Sequence, residues 1–156
     1  MRAKRKPRDL EHAEQAALFR WTLFRVQRWP ELALLFAVPN GGHRDIRVAA
    51  KLKAEGVKAG VPDMCLPVPR GQFHGLWIEL KAGKNTASTE QKWWLTELRA
   101  CGHRAEVCRG WEAAARVIVD YLEQRPADLL APLDGAATPA RLIHASGIAN
   151  VDGGLR

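Results

Sequence analysis

The sequence predicts an α/β (α+β) fold with a mixed sheet of about four strands flanked by helices. Three observations carry that expectation. Helical and strand patterns follow one another in the order helix, strand, helix, strand, strand, helix, strand, helix. Two short apolar runs, residues 60–66 and 76–81, flank a turn rich in proline and glycine and read as a strand pair. The 156 residues, 47% hydrophobic and 26% charged, suffice for one domain with a real core.

The first eight residues hold Arg2, Lys4, Arg5, Lys6 and Arg8, which fit either a frayed basic tail or an arm that contacts phosphates. Residues 9–29 then show helical spacing, with Asp9 placed to cap the helix. Glu11, Glu14 and Gln15 in its first turns complement the helix dipole, and Glu11, with Gln15 one turn on, or else Glu14, is also placed to bring a third carboxylate to a metal site. Residues 32–38 read as a buried strand, closed by the turn Pro39-Asn40-Gly41-Gly42. His43, Arg44 and Arg47 follow, as solvated loop residues or as phosphate contacts beside Asn40. A second helix is expected over 45–55, with Gly56 as its stop.

The strand pair follows Lys58, and its connection contains Pro67 and Pro69, which keep that segment out of a central strand. After Lys81, residues 82–86, including Lys84, form a polar and mobile loop. Ser88-Thr89-Glu90-Gln91 has the form of a capping box and opens a helix to about residue 100. A strand over 105–108 and a helix over 111–123 complete a domain of residues 9–124. Residues 125–156 lose periodicity and read as a tail, poorly ordered or with a short helix over 138–144.

Charge and chemistry concentrate in the strand pair. In Leu76-Trp77-Ile78-Glu79-Leu80-Lys81, side chains alternate between faces, so Trp77, Glu79 and Lys81 share one face. A carboxylate and an ammonium on an otherwise apolar strand are costly to bury without compensation. Asp63, at the start of the first run, is where pairing would bring it close to Glu79. Two carboxylates beside a lysine make a site for a hard cation, with a positive group adjacent to it. Such a site suits phosphodiester hydrolysis. Lys81 would orient the attacking water or stabilise developing charge, and the backbone carbonyl of Leu80 is a further ligand for the metal. Gln91 would either close its own helix start or face the site. Trp77 reads as packing rather than base stacking.

Other chemistries fit less well. Cys101-Gly102-His103 with Cys108, Cys65 and His74 lacks the paired short spacings of structural zinc. No P-loop, dinucleotide glycine motif or nucleophile elbow is present. No apolar run reaches membrane-span length, and three cysteines suggest no disulfide framework, so a reducing cytoplasm is expected. The net charge of +7 and pI near 9.8 favour a polyanionic partner.

These residues resemble the VRR-NUC family of the PD-(D/E)xK, restriction-endonuclease-like nucleases. The resemblance rests on Gly60-Val61-Pro62-Asp63, on Trp77-Ile78-Glu79-Leu80-Lys81, and on Ser88-Thr89-Glu90-Gln91-Lys92-Trp93-Trp94-Leu95. Glu11-His12-Ala13-Glu14-Gln15, Pro39-Asn40-Gly41-Gly42 and Val107-Cys108-Arg109-Gly110-Trp111 support it, in the same order. It implies a restriction-endonuclease-like core and cleavage of DNA with Mg²⁺ or Mn²⁺. Asp63 and Glu79 would hold the metal, Lys81 would act on the water, and Gln91 matches the glutamine of the following helix. The N-terminal glutamate falls on Glu11, with Glu14 the alternative. Small stand-alone members resemble phage-encoded homodimers that act on branched DNA, in the cytoplasm of a bacterial or phage-infected cell. Asn40, His43, Arg44, Arg47, Lys58 and Lys84 are the residues expected to contact that DNA. A restriction-type enzyme with a fixed cut sequence, or a DNA-binding module without chemistry on the same fold, are the alternatives.

Overall fold

The computed structural model describes residues 7–39 and 46–126. The elements in order are α1 (Pro7–Arg25), a 3₁₀ turn (Pro30–Leu34), β1 (Phe36–Ala37), α2 (Ile46–Ala54), β2 (Met64–Leu66), β3 (Leu76–Lys81), α3 (Thr89–Ala100), β4 (Arg104–Arg109) and α4 (Trp111–Leu122). The four strands form one mixed sheet in the order β1-β2-β3-β4. β2 and β3 pair antiparallel, and β3 pairs with β4 in parallel across the α3 crossover. The expected class and strand count therefore hold.

Alternation along β3 organises the packing. Leu76, Ile78 and Leu80 join Leu18 of α1 and Ala114, Ile118 and Tyr121 of α4 in the core. The opposite face of β3 carries Trp77, Glu79 and Lys81. A one-residue slip would exchange the two sets. Each aliphatic side chain removed from the core would lose about 1.5–3 kcal/mol, and the charged pair would enter it unpartnered. The register is thus held by the apolar side of the strand.

Two expected elements differ from the structure. The first helix ends at Arg25, not at residue 29, because Trp29 precedes Pro30 and is pushed out of the helical region, at φ −127° and ψ 86°. At its other end the helix begins at Pro7, whose missing N–H costs nothing in a first turn, so residues 7 and 8 belong to α1 and Asp9 lies inside it rather than capping it. The expected buried strand over 32–38 is a 3₁₀ turn followed by only two exposed strand residues. Leu32 and Leu35 are buried while Leu34 and Phe36 are exposed, a period of three that matches the 3₁₀ repeat. Glu31 in that turn accepts from the Arg70 guanidinium, which anchors it to the β2–β3 connection.

Gly56 ends α2 as expected. Its φ is 93°, and the bonds Val57 N–H to Leu52 O (2.9 Å) and Gly56 N–H to Lys53 O (3.1 Å) form a Schellman cap. At the far end of the chain, Arg125 and Pro126 pack back on the β2–β3 connection, where Gly71 N–H donates to Arg125 O at 2.8 Å and Pro126 bridges Arg70. The rest of the expected tail, with its helix over 138–144, and the N-terminal residues 1–6 lie outside the described residues.

Candidate active site

The site lies at the carboxyl ends of the parallel strands β3 and β4, where the starts of α3 and α4 also converge. This is where a sheet with helical crossovers leaves a crevice. Continuing the β2–β3 register by one residue from the Met64–Ile78 pair sets Asp63 opposite Glu79. The Leu80 N–H donates to Asp63 Oδ2 at 2.8 Å, which holds that carboxylate at the strand edge. Pro62, next to Asp63, has no N–H and cannot donate to β3.

Glu79 is fully buried. Its Oε1 accepts from Lys81 Nζ at 2.6 Å and from Gln91 Nε2. Its Oε2 is buried and has no hydrogen-bond partner among the described residues. A buried carboxylate oxygen without a donor is costly, and here it lies beside a second carboxylate. Burial, and then the charge of Asp63, push the Glu79 carboxyl up to about 7. Burial also raises Asp63, against the Leu80 N–H and the Lys81 charge, which lower it.

This donor set fits a small hard cation. Asp63 and Glu79 offer oxygen donors, Oε2 is unpartnered, and Mg²⁺ needs only one or two carboxylates besides water and phosphate oxygens. Among the described residues, no group of three His, Cys, Asp or Glu side chains is gathered closely enough to hold an ion unaided. The remaining positions on such an ion would fall to backbone, water and substrate.

Glu11 and Glu14 separate cleanly. Glu11 Oε1 accepts from Asn85 Nδ2 at 2.9 Å and lies 4.0 Å from Lys81 Nζ, so it faces the site. Glu14 Oε2 accepts the Trp111 N–H at 2.8 Å and so caps α4. Gly110 at the α4 N-cap has no side chain to do this, which is why an acceptor comes from α1. A helix start without Ser, Thr, Asp or Asn is the sequence signal that would have assigned Glu14.

Gln91 makes both of the contacts expected as alternatives. Its Oε1 accepts the Ser88 N–H at 2.9 Å and its N–H donates to Ser88 Oγ at 3.2 Å, completing the capping box. The amide nitrogen is thereby turned toward Glu79. Gln91→Glu preserves the cap but sets a carboxylate against Glu79. The expected result is unchanged helix content with a 10–100-fold loss of divalent-ion affinity, measured by calorimetric titration.

Gly60 was missed as a positioning residue. At φ +80°, a Cβ there would lie 2.6 Å from Glu90 Cβ and 2.8 Å from the Glu90 carbonyl carbon. Only glycine lets the segment leading to Asp63 pass this close to the start of α3. Gly60→Ala is expected to lower stability by about 1–3 kcal/mol and to cut activity by separating Asp63 from Gln91. Thermal unfolding and single-turnover cleavage check both parts.

Residues 82–86, expected to be mobile, are tied down. Arg109 Nη1 donates to the carbonyls of Gly83 (3.1 Å) and Asn85 (2.9 Å), and Asn85 in turn holds Glu11. Lys84 is exposed on this loop and Lys58 is exposed before Gly60. Asn40, His43 and Arg44 lie outside the described residues, and Arg47 falls in α2. Trp77 packs edge-on to His103, 6.3 Å between centroids, and Cys65 and Cys108 are buried as free thiols.

The sequence model of the VRR-NUC domain matches residues 6–112. The chain belongs to the VRR-NUC family. A solved structure described as a VRR_NUC domain protein is 32% identical, with a TM-score of 0.61, over 71% of this chain and 86% of that one. No curated protein matches. Membership of the VRR-NUC family carries a nuclease-type function with DNA as its substrate class. Among the described residues, no helix is long and apolar enough to cross a membrane.

Proposed function

We propose that the protein is a divalent-metal-dependent endodeoxyribonuclease, selective for branched DNA of the junction type and active as a homodimer. One observation supports the chemistry above others. Glu79 is buried with one oxygen saturated by Lys81 and Gln91 and the other unpartnered beside Asp63.

Asp63, Glu79 and the Leu80 carbonyl would hold Mg²⁺ or Mn²⁺, with Glu11 in reach of the same site through water. A bound divalent ion supplies charge against the scissile phosphate and lowers the pKa of its water. The chain's own groups do the positioning. Lys81 Nζ is nearly buried between Glu79 and Glu11, so it points into the site rather than to solvent, where it orients the nucleophile and balances charge on the phosphate. Gln91 fixes which oxygen of Glu79 stays free. Asn85 keeps Glu11 at the rim, and Arg109 holds the loop that carries Asn85.

Exposed Leu23, Phe24, Leu34 and Phe36 offer apolar surface for a second copy. The basic balance, with Lys58, Lys84, Arg47 of α2 and the residues Asn40, His43 and Arg44 outside the described ones, suits a branched polyanion. The test is a panel of labelled four-way junction, flap, splayed-arm and linear duplex DNA with Mg²⁺, Mn²⁺ or EDTA, beside sedimentation of the free protein. Metal-dependent cutting of branched forms in preference to linear duplex is expected. A fixed cut sequence on linear duplex, or binding without cutting under either metal, would overturn it.

The same carboxyl pair makes a pH prediction for the metal-free protein. Glu79 is pushed from 4.5 up to about 7, so between those values the folded chain holds a proton that the unfolded chain releases. Stability in EDTA should therefore fall as pH rises through this window. Unfolding midpoints at about pH 5 and about pH 8 measure it, with the slope reduced in Glu79→Gln.

A further inference from the structure

An open hollow of about 440 Å³ lies between Lys58 and Ala59 on one side and Thr89, Glu90, Trp93 and Trp94 of α3 on the other. Trp93 is 57% exposed, unusual for so large an apolar ring. Trp94 is held as a wall, because its Nε1 donates to Ala59 O at 3.0 Å. The two indoles stand nearly perpendicular, at 74° with centroids 5.4 Å apart. The two rings meet edge to face rather than stacking, and more than half of the Trp93 side chain stays open to something outside the chain.

Both walls continue along the chain to residues of the candidate site. The Lys58–Ala59 wall continues through Gly60 to Asp63. The α3 wall carries Gln91, which reaches Glu79, one helical turn or ~5 Å from Trp94 along the axis. A flat aromatic face beside an ammonium matches a nucleobase followed by its phosphate. Glu90 also lines the hollow, with its Oε2 accepting from Ser88 Oγ at 2.8 Å, which draws that carboxylate toward the helix start. A base stacked inside a duplex has no face to offer Trp93, whereas an unpaired one does.

We propose that this hollow is a stacking shelf for one unpaired nucleobase of the DNA substrate, with Trp93 as the platform and Lys58 on the adjoining phosphate. The shelf rests on DNA being the substrate and would add a reason for selecting flaps and splayed arms over linear duplex, since these carry unpaired bases.

The test is binding in EDTA, so that nothing is cut, read by fluorescence anisotropy. The DNAs are a duplex with a short single-stranded arm, the same arm carrying abasic residues, and a blunt duplex. Base–aromatic stacking implies that Trp93→Ala weakens the armed duplex by about tenfold and leaves the blunt duplex within about twofold. Wild-type protein should bind the abasic arm about as weakly as Trp93→Ala binds the normal arm, a comparison that needs no variant to fold. Trp93→Phe should keep most of the affinity, and Lys58→Ala should reduce the salt slope on the armed duplex by roughly 0.7. Equal wild-type affinity for normal and abasic arms overturns the shelf, as does an equal loss on blunt duplex. A Trp93→Ala protein that changes from dimer to monomer in sedimentation also overturns it, because the hollow then holds a second copy. Cleavage of the same DNAs with Mg²⁺ is scored separately: base-dependent binding without cutting would sink the nuclease reading alone, and cutting without base dependence would sink the shelf alone.

Discussion

Glu79→Gln should abolish DNA cleavage, by at least about 10³-fold, while the protein remains folded. A loss of that size corresponds to roughly 4 kcal/mol of barrier. The reason is specific to this side chain. Glutamine fills the same volume and still meets Lys81 and Gln91, but its second polar atom is no longer an anionic ligand beside Asp63. Activity is lost because the charge is lost, with packing preserved. Single-turnover kinetics with saturating Mg²⁺ and a circular-dichroism melt separate the two. Cleavage within tenfold of the parent would show that Glu79 does no chemistry.

Lys81→Met should cost about 10²–10⁴ in rate, the range for a group that handles or positions a proton. It should also change stability in a direction that depends on pH. Lys81 Nζ is the cation nearest Glu79, at 2.6 Å, and both side chains are withdrawn from solvent. Removing it leaves a buried carboxylate, so above neutral pH the variant should lose about 3 kcal/mol. In acid, where Glu79 is protonated, the penalty should shrink, because methionine is then a better neighbour than an unpaired ammonium. Lys81→Arg keeps the charge but not the compact head group, and should restore stability more than rate. Urea unfolding across pH, beside single-turnover rates, reads both. A stability loss independent of pH would mean that Lys81 is not what balances Glu79.

Much of this was legible because β3 speaks in a strict alternation. Leu76, Ile78 and Leu80 can only face a core, which sets Glu79 and Lys81 on the other side and Asp63 opposite them. Ser88 and Gln91 likewise declare a helix start wherever they occur at that spacing. Residues 32–38 misled because leucines at 32, 34 and 35 satisfy a period of two or of three, and only the contact between Glu31 and Arg70, from distant parts of the chain, decides for the turn. Glu11 and Glu14 were inseparable for a similar reason. Both lie in the first turns of α1, and what tells them apart is the bare Gly110 N-cap of α4, which claims Glu14. Asn85 and Arg109 carried no local signal, since their partners are a glutamate and two loop carbonyls brought in by the fold. Gly60 looked like any turn glycine until α3 was laid against it.

The central claim, that Asp63 and Glu79 bind a single divalent ion beside Lys81, is tested most directly by diffraction from crystals soaked in Mn²⁺, using the anomalous signal of the metal. The account predicts one peak per chain, within bonding distance of Asp63 and of Glu79 Oε2, and its loss in Glu79→Gln. A saturated crystal with no peak between those carboxylates, or with a peak that persists in Glu79→Gln, would contradict it.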